Sequence, residues 1–399
     1  TFISAGTLFL LLFATLGTIF SPWLAPLVAY RFEGEQLALL VYLMRLMFPA
    51  VLFTAMAGMA MGIHHAYRHF VMPMVGPIFY NVAIILGAYL LGPRMGITGM
   101  AVGTVAGAIG NFLIQLPFVS RRPSRFPWRI RWQHPGLQRV LKMMGPALLG
   151  LAISQINVII VTNLASGLDE GSITALNLAN RLMQLPLGVF GMALATVLFP
   201  TLTRLSAREE WSEFRSTFSF GLRGVLFVTI PSAAGLLALA EPVVRLLFEA
   251  GEFGPDDTKA TAFALYFFAL AVVGLSSVQI VTRTFYALHD TATPVKVGLL
   301  AVLINTAAAV ILLNFTQLHH GGLALAFTLA SLAQMVLGLW FLRGRIGSIE
   351  GTRILTTALR AGAASLVMGM GAHAPAQWVA SWTNLAHWPG RLLQVSAGV

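Results

Sequence analysis

Asn177, Asn180, Arg181 and Gln184 fall three and four residues apart in the run Ala175–Pro186, so on a helix three amides flank one guanidinium on or near a single face. A guanidinium is a rigid, planar fork of donors that matches the oxygens of a phosphate or pyrophosphate. The chemistry on offer is therefore recognition of an anion rather than bond making. Arg181 lies roughly 13 Å from the outer end of an apolar run spanning 172 to 202, taking about 1.5 Å per residue. At that depth it cannot easily snorkel to either surface. An ionisable group there costs about 2.5–3.5 kcal/mol on insertion scales, so it needs a reason. Either carbonyls of a neighbouring helix hold it for packing, or it faces a substrate. The substrate-facing role is favoured, because Pro186 breaks the backbone ladder close by.

Other polar residues are weighed the same way. Arg45, in Tyr42–Leu46, sits a turn or two from the start of its apolar run, where it either snorkels outward or joins the binding residues. His64, His65 and His69 cluster with Arg68 in a turn without a carboxylate, which predicts a solvated loop and no metal site. No Asp or Glu sits well inside an apolar run, which argues against a cation pump built on buried carboxylates and against membrane hydrolases or glycosyltransferases. Ser154, Ser276 and Ser277 have no adjacent base and read as helix-packing residues. The absence of cysteine removes disulfides and thiolate chemistry. The expectation is a protein that is not an enzyme and carries no cofactor.

The elements that must position these residues are membrane helices. The chain is 57% hydrophobic and only 10% charged, against about a quarter charged in soluble domains. Apolar runs near 5–29, 38–63, 71–92, 96–120, 143–165, 172–202, 217–240, 260–283, 294–315, 321–342 and 355–374, with a last one from about 388, are each long enough to span a bilayer as a helix. The ten-residue alternation of a membrane β-barrel is missing. The fold class expected is all-α and polytopic.

The net charge of +11 is distributed by topology. One set of connections holds Arg68, the run from Arg121 to Lys142, Arg204, Arg208, Arg215, Arg283, Lys296, Arg343, Arg345 and Arg353, which marks the cytoplasmic side. The opposite set holds most of the acids, from Glu33 to Asp257. In segment 121–142, Phe126, Trp128, Ile130 and Trp132 alternate with arginines, as suits the anionic surface of the inner leaflet; nucleic acid is not the expected partner.

Pro73, Asn81, Gly99, Ala101 and Asn111 have an ordered counterpart in Pro294, Asn305, Gly322, Ala324 and Gln334. That order implies two parallel, pseudo-symmetric lobes facing a shared cleft. The expected division is 1–120 for four spans of an N-terminal lobe, 121–142 for a basic linker, 143–345 for six spans of a C-terminal lobe, and 346–399 for two further spans, the last one truncated. Because six-helix symmetry needs two more helices in front, and Thr1 is not an initiator methionine, the chain reads as a fragment.

The motifs Met144-Gly145-Pro146-Ala147 through Gln155, Asn180 through Val189, Leu198-Phe199-Pro200, Leu247 through Phe253, and Arg283 through Val295 resemble, taken jointly, the MurJ/MviN family of lipid II flippases. The resemblance covers nearly the whole chain. It implies fourteen spans, of which this chain would begin at the third, around a central cationic cavity with Arg181 at the position of a functionally required arginine. Asn180 and Gln184 depart from the family, in which acidic residues often occupy those positions and would restrain that arginine. Some relatives place a sodium ion among the helices matching 143–165, 294–315 and 321–342; Asn305 fits that set, whereas Ala309 stands where a carboxylate would help, so monovalent-cation coupling stays open.

On this basis the expected function is translocation of undecaprenyl-pyrophosphate-linked peptidoglycan precursor across the bacterial cytoplasmic membrane by alternating access. Arg181, Asn180, Gln184, Asn177 and Arg45 would bind substrate, and Pro186, Asp290, Thr293 and Pro294 would shape or gate. Expected partners are lipid II or a similar polyprenyl-pyrophosphate glycolipid, membrane lipids and wall-synthesis proteins. The alternatives are a flippase for another polyprenyl-linked glycan, or a non-transporting scaffold of the wall-synthesis complex.

Overall fold

A computed structural model describes residues 2–69, 71–120, 155–382 and 388–398, with the isolated positions 138 and 152. Apart from residue 138, the basic linker 121–142 lies outside the described residues, as do Ser154 and most of the motif starting at Met144. Every regular element described is helical, and ten helices are long and apolar enough to cross a membrane. The chain is an all-α, multi-pass membrane protein.

It divides into two units, residues 1–151 and 152–399. The first holds α1 (Phe2–Val28), α2 (Gly34–Ala66), α3 (Val71–Leu86) and α4 (Ile97–Ser120). Between α3 and α4 the chain passes through a π turn, Gly87–Leu91, and one short turn, Gly92–Met95. Both α2 and α3 pack on α4. Gly87, Gly99, Gly103 and Gly107 bring α3 and α4 into backbone contact: a Cβ on Gly103 would stand 2.7 Å from Ala83 O, and one on Gly107 2.8 Å from Tyr80 O. Lipid tails are as apolar as leucine, so helices in a membrane associate by this kind of close fit.

The second unit holds α5 (Gln155–Ala165), α6 (Ser172–Pro186), α7 (Ala193–Ala207), α8 (Trp211–Ala238), α9 (Ala240–Phe248), α10 (Pro255–Ala287), α11 (Ala292–Phe315), α12 (His319–Ile346), α13 (Gly351–Trp382) and α14 (Trp388–Gly398). Its hub is α10, which packs against α6, α8 and α12 and buries small or apolar residues nearly all round. A helix apolar on every side belongs at such a centre. One core gathers Leu176, Leu182, Met183, Leu265, Phe268 and Leu323, and a second gathers Leu202, Phe214, Phe218, Leu222, Ile280, Phe285 and Leu342.

Two local expectations are corrected. His64 does not lie in a solvated turn: α2 runs on to Ala66, so His64 falls in its last turn, fully buried, with Nε2 3.2 Å from the carbonyl of Gln115 on α4. Arg45 lies eleven residues into α2, about three turns rather than one or two, because the helix starts at Gly34.

Candidate functional site

The helix α6 carries the anion-recognition residues and follows directly from its sequence. Ser172, Ala175, Leu176, Ala179, Leu182 and Met183 follow one another at steps of three and one, forming a buried stripe that docks on α10. Asn177, Arg181 and Gln184 fall on the other side and are exposed, and Asn180 is half-buried between the two faces. The side-chain amide of Gln184 donates to Asn180 Oδ1 one turn back. Among the described residues nothing hydrogen-bonds or pairs with the Arg181 guanidinium.

Past Pro186 the chain widens into a π turn, Leu187–Met192, before resuming as α7. Proline supplies no N–H for the helical ladder, and π turns of this kind concentrate at functional sites. Gly191 in the turn lets α10 approach, since a Cβ there would stand 2.9 Å from Ser276 Oγ. Ser276 and Ser277 are both fully buried, and Ser277 donates to the carbonyl of Val273 on its own helix.

Arg45, on the first unit, is exposed and likewise without a hydrogen bond or ion pair among the described residues. Asn305 of α11 is buried and donates to Asn157 Oδ1 at 2.7 Å. No group of three potential metal ligands occurs among the described residues.

The turn between α10 and α11 is built around Asp290. Its Oδ1 accepts the backbone N–H of Ala292 at 3.1 Å and of Thr293 at 2.9 Å, and its Oδ2 accepts the Thr293 hydroxyl at 2.7 Å. Arg345, at the end of α12, reaches the same Oδ2 at 3.4 Å. The Thr293 N–H above all, helped by its hydroxyl and by Arg345, holds the Asp290 carboxyl below its ordinary range despite some loss of solvent. Pro294 follows in the first turn of α11, where a missing N–H costs nothing.

Sequence reasoning missed three features. Arg223 lies twelve residues into α8, roughly 18 Å along it, and Arg360 lies nine residues into α13; both fall on apolar runs whose polar breaks had been assigned elsewhere. Glu350 is the third and is taken up below. A fourth set was visible only in part: Glu249, in the Leu247–Phe253 motif, binds Arg391 of α14 at 3.2 Å, Arg245 at 3.5 Å and the Thr258 hydroxyl at 2.8 Å. Spacing along α9 foretells the Arg245 pair, but the partner 142 residues away is a product of the fold.

Comparison with known proteins places the chain in a family. A family model described as lipid II flippase MurJ matches residues 1–390. A protein of Vibrio cholerae named "Probable lipid II flippase MurJ" is 32% identical over 297 residues, 74% of this chain and 56% of its own length. The lipid II flippase MurJ of Burkholderia cenocepacia is 30% identical over 305 residues, 74% of this chain and 58% of its own. The chain thus spans between half and two thirds of the length of these relatives. A solved structure titled "Lipid II flippase MurJ, inward closed conformation" superposes with a TM-score of 0.81 at 24% identity, over 99% of this chain and 80% of that one, and shows the shared fold. With a family model that matches almost every residue and relatives at this level of identity, the chain belongs to the MurJ family of lipid II flippases.

Proposed function

We propose that the protein moves lipid II, the undecaprenyl-pyrophosphate-linked peptidoglycan precursor, from the inner to the outer leaflet of the bacterial cytoplasmic membrane by alternating access. The observation that carries this reading is Arg181: a guanidinium far along a membrane helix, turned away from the core and without a partner among the described residues. Such a cation is costly to keep unless something anionic visits it. A pyrophosphate supplies the oxygens that a guanidinium fork fits, and Asn177, Asn180 and Gln184 supply neutral hydrogen bonds beside it. Arg45 of the first unit is an exposed cation of the same kind.

No covalent step is required, and the protein acts as a transporter rather than an enzyme. A cationic site offsets the cost of carrying a dianion through low dielectric. The membrane potential, worth about 2.3 kcal/mol per charge per 100 mV, drives the emptied cationic site back inward. The π turn at 187–192, next to Pro186, is the flexible joint of the binding helix in this scheme, and the Asp290 turn fixes the entry to α11. Membrane lipids and wall-synthesis proteins are the partners in this scheme, and coupling to a monovalent cation through the Asn305 region is compatible with it.

The test is transport by the purified protein in liposomes of lipid II and of a polyprenyl-pyrophosphate with another glycan. Translocation of lipid II that falls away in Arg181→Ala supports the reading. Equal transport of both lipids transfers it to polyprenyl-linked glycans in general. Retained binding of wall-synthesis proteins with no transport of either lipid points to a scaffold.

A further inference from the structure

Where α12 ends and α13 begins, a cleft of about 1030 Å³ opens on the cation-rich side of the chain. One wall is apolar and faces outward: Trp340 is 65% exposed, Phe341 37% and Leu355 59%. The other is a glycine-rich turn, Gly344 to Gly351, with Arg343, Ser348 and Thr352. The Arg343 guanidinium has no hydrogen bond or ion pair among the described residues, whereas its neighbour Arg345 is drawn aside to Asp290. Arg353, next in sequence to the lining residue Thr352, pairs with the lining carboxylate Glu350 at 3.1 Å.

Glu350 is the one carboxylate lining the cleft, and it is engaged from behind. Arg215, Ser219 and Arg223 follow one another at intervals of four along α8 and form a polar strip on one face of it. Ser219 is fully buried with its hydroxyl unpaired by strict geometry, yet it lies close enough to be the main reason that the Glu350 carboxyl is held below its ordinary range, ahead of Arg353 and Arg223. Arg215 and Arg223 each keep a buried Nε without a partner. The Glu350 carboxylate is thus taken up by Arg353 at 3.1 Å and feels the charge of Arg223, which leaves Arg343, lining the same cleft, as a cation it does not neutralise.

The first turn of α13 adds to it. The carbonyl of Glu350 takes the N–H groups of Arg353 and Ile354, and Gly351 and Thr352, the first residues of this long helix, line the cleft at the helix end where anions are favoured. Aromatic residues at a helix end beside arginines are the signature of the membrane interface. We propose that this cleft binds the headgroup of an anionic phospholipid of the cytoplasmic leaflet, its phosphate held by Arg343, Arg353 and the start of α13, its acyl chains laid along Trp340, Phe341 and Leu355. The site is separate from Arg181 and stands whether or not lipid II is the transported substrate. A bulk phospholipid fits it better than a polyprenyl pyrophosphate, because the cleft lies at helix ends, at headgroup level. Its occupant bridges α12 and α13 and holds the turn between them.

The test is binding of phosphatidylglycerol to the purified protein in neutral detergent, with phosphatidylcholine as the uncharged comparison and thermal unfolding as a second readout. Phosphatidylglycerol should bind and raise Tm, and phosphatidylcholine should do neither. Each guanidinium near an anionic surface contributes about fivefold in affinity, so Arg343→Gln should weaken binding about fivefold and Arg343→Gln with Arg353→Gln about 25-fold. Arg343→Gln alone keeps the test valid if the double variant does not fold, since Arg343 has no hydrogen-bond or ion-pair partner among the described residues to lose. Trp340→Ala should weaken binding of the lipid but not of inorganic phosphate, and Arg181→Ala should leave phosphatidylglycerol binding as it is. Equal binding of phosphatidylcholine, unchanged affinity in Arg343→Gln, competition by inorganic phosphate at the same concentration as the lipid, or loss of binding in Arg181→Ala would each overturn the proposal.

Discussion

The amide of Gln184 donates to the Asn180 carbonyl oxygen across one turn of α6, and the guanidinium of Arg181, which lies between them in sequence, is left to neither. These two amides satisfy each other and leave the arginine unrestrained. Gln184→Glu would place a carboxylate three residues from Arg181. An ion pair at that spacing is worth about 0.2–0.5 kcal/mol in water and more at membrane depth. Affinity for a pyrophosphate lipid should then fall at least about twofold. A titration showing unchanged or tighter binding would mean that Arg181 does not meet the pyrophosphate.

The Asp290 turn sets a stability prediction with a definite sign. Its carboxyl is held low by the Thr293 N–H first, so its stabilisation is fully present above the ordinary carboxylate pKa and is lost as pH falls through the lowered one. Asp290→Ala should cost about 0.5–2 kcal/mol at neutral pH, the range for losing a side chain that caps a helix start. Asp290→Asn keeps an acceptor and should be milder than Pro294→Gly. Thermal unfolding followed between pH 7 and pH 3 checks both, and a parent and Asp290→Asn with the same acid sensitivity would remove the carboxylate from the account.

Close packing in the first unit gives an internally controlled test. Gly103 stands against backbone atoms of α3 that cannot yield, whereas nothing lies within 4 Å of a Cβ placed on Gly58 or Gly62. Gly103→Leu should destabilise by more than the 1–3 kcal/mol typical of overpacking, because backbone must move. Gly58→Ala and Gly62→Ala should be neutral or slightly stabilising. The measurement is the detergent-solubilised melting temperature of the three variants.

Glu249 offers a prediction on how the last described helix is held. It is 13% exposed and binds Arg391 on α14 as well as Arg245 and Thr258. Glu249→Gln should cost about 1–3 kcal/mol, the range for leaving nearly buried polar groups short of partners, and it should raise hydrogen exchange in α14 before α10. Uniform exchange in both helices would show that Glu249 does not hold α14 in particular.

Much of the architecture was legible in the sequence because a membrane enforces it: apolar length fixes each span. The pairing of exposed and buried faces on α6 was equally readable from spacing at 175, 176, 179, 182 and 183. What stayed hidden depended on close contact between distant segments. His64 looks like a loop histidine until α4 brings the Gln115 carbonyl to it. The glycines of α4 read as ordinary membrane residues until α3 lies against them, and Glu350 reads as a loop acid until Ser219, 131 positions earlier, comes beside it. The π turn after Pro186 was signalled by the proline, although its extent over Leu187–Met192 was not.

The most direct test of the account is the affinity of Arg181→Ala for lipid II, measured beside its melting temperature on the same detergent-solubilised protein. Arg181 is exposed and without a partner among the described residues, so its removal should leave the melting temperature close to that of the parent. Affinity should drop at least about tenfold, the loss expected when a charge-assisted fork to pyrophosphate is removed. Arg181→Lys, with its charge but not its planar fork, should fall between the two. A variant that melts lower yet binds lipid II as tightly as the parent would make Arg181 a packing residue and contradict the account.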